Sequence, residues 1–106
     1  MVYIGLGSAD LAIERVRERV MTQGGHHVPA ADVRRRYQRS LENLAAIYQL
    51  ADRIVILDNS SSLTPSRMKR VLEVDSARVV FRQSRLPKWL TAALGRRLRR
   101  RPKKAD

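Results

Sequence analysis

A chain of 106 residues is expected to hold one domain at most, since domains commonly run to about 100–150 residues. With 43% apolar and 30% charged residues it reads as globular, and the absence of cysteine excludes disulfides, thiolate chemistry and cysteine-based zinc sites and fits a cytoplasmic location. The net charge of +12 is uneven: residues 85–106 carry nine Lys/Arg and one acid, so charge-based inference about anionic partners applies mainly to this tail. The first residues do not form a signal peptide, and no stretch approaches the ~20 apolar residues that span a bilayer, so no membrane partner is expected.

Residues 2–6 form a short β-prone run that Gly5 and Gly7 end. A buried strand of this kind needs neighbours. Ser8 caps a first helix, with Asp10 favourable in its first turn; Ala9, Ile13, Val16 and Val20 recur at helical spacing until Gly24-Gly25 stops it. Pro29 suits the first turn of a second helix. Val33, Tyr37, Leu41, Leu44 and Tyr48 then form an amphipathic stripe, with a break expected near residues 43–45. Residues 54–57 read as a fully buried parallel strand ended by Asp58, Asn59 and serines, so the strand–helix–helix–strand order predicts an α/β layer fold. Residues 68–74 and 77–83 flank Asp75-Ser76 as a hairpin at a sheet edge. Residues 87–94 read as a short helix carrying Trp89, and residues 96–104, seven of nine basic, as disordered.

Gly5-Leu6-Gly7 is no dinucleotide fingerprint, because Asp10 stands where the third glycine would fall; a tight strand-to-helix turn accounts for it. The phosphate loop GxxxxGK[ST] is absent, and no Gly-Lys pair occurs in the chain. His26-His27, with no third histidine or any cysteine, makes a poor metal site and better suits a local role at the Gly-Gly turn. The arginines carry more information. Arg15 and Arg19 lie one turn apart on the first helix; Arg36 and Arg39 share a face of the second with Asn43, displaced from the apolar stripe. A solvated basic face has the same spacing. The alternative is that two helices joined by a Gly-Gly hinge bring guanidinium groups onto an anionic ligand, since guanidinium is permanently charged and grips phosphate through two parallel hydrogen bonds.

Residues 15–44, RVRERVMTQGGHHVPAADVRRRYQRSLENL, resemble the lid of the short zeta-toxin-like P-loop kinases. The likeness runs through Arg15, Val16, Arg19, Val20, Gly24-Gly25-His26, Val28-Pro29, Arg35-Arg36-Tyr37, Arg39-Ser40-Leu41 and Asn43-Leu44, then Ala51-Asp52, Asp58-Asn59-Ser60 and Leu86, Pro87 and Trp89. It covers about residues 2–95. The resemblance implies an α/β fold: part of a P-loop NTPase-type parallel sheet with a two-helix arginine lid, about residues 15–50, and a C-terminal hairpin. Residues 1–95 would be the C-terminal part of the kinase domain and residues 96–106 a basic tail. It implies a transferase that uses ATP and Mg to phosphorylate a small substrate; some relatives are toxins that act on UDP-N-acetylglucosamine. It further implies that Arg19, Arg36 and Arg39 reach the nucleotide phosphates, with the inward member of Arg35 and Arg36 left open. Asp58 and Asn59 would border the adenine, although a simple turn fits them as well.

The family's phosphate loop, magnesium ligands and catalytic carboxylate lie upstream of the matching part. The chain is therefore expected to be inactive alone and to bind ATP and Mg weakly, either as an incomplete kinase or as half of a split protein completed by a chain bearing the P-loop. An antitoxin partner is implied for the toxin members. The alternative function is non-specific nucleic-acid or anion binding through the Arg/Lys-rich tail.

Overall fold

The computed structural model describes residues 1–61 and 67–98. Its elements are β1 (Val2–Gly5), α1 (Ala9–Gln23), α2 (Ala30–Leu50), β2 (Arg53–Asp58), β3 (Lys69–Asp75), β4 (Arg78–Arg82) and α3 (Lys88–Leu94). The strands form one sheet in the order β1-β2-β3-β4. The α/β layer fold and the hairpin expected from the sequence are both present.

The sheet is mixed, which corrects the expectation of a parallel one. β1 and β2 run parallel, while β2–β3 and β3–β4 run antiparallel. Parallel neighbours need a crossover of a dozen or more residues. The α1–α2 pair supplies one between β1 and β2, whereas only ten residues separate Asp58 from Lys69 and β3 and β4 are joined by a two-residue turn.

Local chemistry sets the helix ends. The Ser8 hydroxyl accepts a hydrogen bond from the Leu11 amide at 3.1 Å, and Asp10 sits in the first turn of α1. Gly24, at φ 72°, ends α1 in a conformation that favours glycine. α2 begins after Pro29 and runs unbroken through the expected break, because Leu44 lies in the stripe that α2 lays on the core and is only 1% exposed.

Tyr48 and Leu44 of α2 and Trp89, Leu90 and Leu94 of α3 bury one face of the sheet, made by Ile54, Ile56, Leu72 and Val74. α1 contributes only Ile13 to the buried set and packs on α2. Val71 and Leu72 are both buried although adjacent in β3, because a bulge opposite Ile56/Leu57 breaks the alternation there. The chain after α3 makes a helical turn over residues 96–98 and buries Leu98 in the same core. The first residues assigned to the tail thus pack on the body, while residues 99–106 lie outside the described residues.

The opposite face of the sheet has no helix over it among the described residues. Val2 and Ile4 are 61% and 50% exposed there. Farther across, Glu73 is held by Arg53 at 2.9 Å and Arg70 at 2.9 Å, and Arg70 lies 3.9 Å over the Phe81 ring. No helix among the described residues is long and apolar enough to cross a membrane.

Candidate functional site

Four arginines on α2 have different fates. Arg34 pairs with Asp10 of α1 at 2.6 Å, and Arg35 pairs with Asp32 one turn back. Arg36 and Arg39 make no ion pair or hydrogen bond among the described residues. They line one groove of about 220 Å³ with Ser40 and Asn43, over apolar surface from Tyr3, Leu44 and Ile47. The sequence left open whether Arg35 or Arg36 turns inward. The structure places Arg36 in the groove and commits Arg35 to an exposed carboxylate.

Two hydroxyl contacts fix this flank of α2 to β1 and to the residue that follows it. The Tyr3 and Ser40 hydroxyls are 2.8 Å apart, and the Tyr37 hydroxyl donates to the Leu6 carbonyl at 2.8 Å. Burial, then the nearby Tyr3 and Asp58, push the Tyr37 phenol above its ordinary pKa. Neutral Tyr37 keeps its O–H to donate, so the attachment of α2 does not titrate near neutral pH.

Arg19 is exposed on α1 and is not among the groove residues. Arg15 is half-buried and donates to the Ser61 carbonyl at 2.8 Å, tying α1 to the chain beyond β2. The expected convergence of arginines from two helices thus reduces to a pair on one helix. His26 and His27 are exposed, and no group able to hold a metal ion occurs among the described residues.

The carboxyl ends of β1 and β2 lie side by side, with Gly5 opposite Asp58. Asp58 Oδ1 accepts from Trp89 Nε1 at 3.2 Å and from the Ser60 hydroxyl at 2.5 Å. The Trp89 ring rests on Gly5, where a Cβ would come within 2.2 Å of it. That close approach gives Gly5 its reason in the strand-to-helix turn. Asn59 donates its amide to the Gly5 carbonyl at 2.8 Å, while its side-chain Oδ1 is buried with no hydrogen-bond partner among the described residues.

Helical spacing could have found Ser40, four residues after Arg36 and three before Asn43. Tyr3 had no such signal, because its contact with Ser40 spans 37 positions. The groove can accept an anionic group: two guanidinium groups supply charge and paired donors, and a hydroxyl and an amide add neutral hydrogen bonds. No protein-family model, curated protein or solved structure matches this chain.

Proposed function

We propose that this chain is the lid-bearing part of a zeta-toxin-like, ATP-dependent small-molecule kinase, in which Arg36 and Arg39 hold nucleotide phosphate. The single observation that carries this reading is the pair's freedom: α2 spends Arg34 and Arg35 on carboxylates and leaves Arg36 and Arg39 together over one groove. Unpaired guanidinium groups side by side cost stability, so a ligand that neutralises both gives the arrangement a purpose.

The groove suits phosphate better than a whole nucleotide. At about 220 Å³ it is smaller than the roughly 300–1,000 Å³ of ordinary ligand pockets. Its polar lining is cationic or neutral with no carboxylate, so it fits the phosphates of ATP and does not fit Mg, whose ligands would have to come from elsewhere. Near the proposed adenine border, Asn59 keeps a buried acceptor that an amino group could satisfy, whereas Asp58 is engaged by Trp89 and Ser60. Because the sequence has no GxxxxGK[ST], phosphoryl transfer needs that loop from another segment or chain.

Calorimetric titration with ATP and with inorganic tripolyphosphate tests the reading. Weak, saturable binding of both is expected, without ATP turnover. Arg36→Gln or Arg39→Gln should each weaken it about tenfold or more, since a hydrogen bond to a charged group is worth about 1.5–3 kcal/mol. Binding that ignores both substitutions and grows with polyanion length would overturn it in favour of non-specific attraction by the tail.

A further inference from the structure

A second cleft, of about 190 Å³, lies between α1 and α2. Its lining runs from Ile13 to Val33, so the two helices and their connection build it without any strand. Ile13 and Val33 are buried, whereas Val16, Val20, Val28 and Ala30 beside them are only half-buried. Side-chain size explains the space: valines and an alanine are too short to fill the gap between the helices. Packed protein interiors keep few voids larger than a water molecule, whereas ligand sites are concave and mostly apolar with a few polar groups.

Arg17 and His27 are the polar side chains of this lining. Arg17 is exposed and makes no ion pair or hydrogen bond among the described residues. One free guanidinium beside apolar walls matches one planar carboxylate, which it can grip through two parallel hydrogen bonds. The His27 ring adds an N–H donor. An apolar cavity of about 150 Å³ holds a six-carbon guest such as benzene, so this cleft has room for an apolar group of that size. We propose that the α1–α2 cleft binds a monocarboxylate carrying an apolar group of about six carbons, its carboxylate on Arg17 and its apolar part against Val16, Val20 and Ala30. A phosphate ester fits less well, because a single guanidinium leaves a dianion half neutralised. The bound acid touches both helices and so holds α1, which has Ile13 as its one buried residue, onto α2. This site stands whether or not Arg36 and Arg39 hold phosphate, since the cleft and the groove share no residue.

The probe is cyclohexanecarboxylate, titrated into the full chain while backbone amide shifts are followed by NMR. Saturable shifts centred on residues 13–33 are expected, with α1 amides gaining protection from hydrogen exchange as the acid binds. Acetate, which keeps the charge without the ring, and cyclohexylmethanol, which keeps the ring without the charge, should each bind about tenfold more weakly or less. Arg17→Gln should weaken the acid about tenfold. Ala30→Leu, which adds three carbons inside the cleft, should abolish binding. Arg17 is exposed, so its variant remains decisive if the leucine variant does not fold. Acetate binding as tightly as the ring acid, or unchanged binding by Arg17→Gln, overturns the proposal in favour of general attraction by a basic chain. A concentration-dependent dimer that closes the cleft to the acid overturns it in favour of a second copy as the occupant.

Discussion

Arg36 and Arg39 lie three residues apart on α2, and neither forms an ion pair among the described residues. Like charges at this spacing repel by about 0.2–0.5 kcal/mol on an exposed helix. Replacing both with glutamine should therefore raise the melting temperature slightly at low salt, with the gain fading as salt screens the charges. A fall in melting temperature would show that the pair supports the fold. Glu73 is the opposite case. Hydrogen bonds from Arg53 first and Arg70 second hold its carboxyl below the usual range, outweighing a burial effect of opposite sign. Its stabilising contribution is complete above the unfolded carboxyl pKa of about 4.3 and is lost as pH falls toward the lower folded value. Denaturant titrations from neutral to acid pH should show this loss in the native chain and a smaller slope in Glu73→Gln. The facing of α2's arginines followed from residue spacing. Spacing places Asp32 one turn before both Arg35 and Arg36, so the local pattern could not say which of them it would hold; the position of β1 beside Arg36 was not legible at all.

At the level of elements, most strands and helices were legible because their signals are local. The Ser8 cap, the Gly24 stop and the Val33–Leu44–Tyr48 stripe each appear in the expected place. The parallel β1–β2 pair appears as well, whereas the antiparallel β2–β3 pair does not follow from the apolar runs, because strand direction depends on connections that such a run does not encode. The β3–β4 turn also holds Ser76 at φ 52° and Ala77 at φ 67°, both in the left-handed region. A two-residue turn of this hand favours Asn-Gly. The double substitution Ser76→Asn/Ala77→Gly should stabilise the chain by about 1 kcal/mol, the net of relieved left-handed strain and added glycine entropy. Thermal or denaturant unfolding measures it. α1 should be the least protected helix in native-state hydrogen exchange, since Ile13 is its one buried residue and its packing is on α2. Comparable protection in α1 and α2 would contradict that ordering.

For the whole molecule, the net charge of +12 makes attraction of anions certain and its meaning ambiguous. Linkage separates the groove from the tail. Tripolyphosphate at one hundred times its dissociation constant should stabilise the folded chain by about 2.7 kcal/mol. Thermal unfolding should show that gain in the native chain and lose most of it in Arg36→Gln/Arg39→Gln, while a tail-driven effect would survive the substitutions. The sequence by itself determined the charge, the lack of a phosphate loop, the helix caps and the apolar stripes, because each is composition or spacing within a few residues. Tertiary structure alone decided that β1 pairs with β2, that the sheet is mixed and that Asp58 is tied to Trp89. It also decided that two arginines, rather than a set from both helices, share a groove. The β1 pairing, the Asp58–Trp89 bond and the seat of the groove beside Tyr3 depend on contacts about 30 to 50 positions apart, and the antiparallel β2–β3 pairing on contacts about 10 to 20 apart; no local pattern specifies which distant partner a side chain or strand will meet.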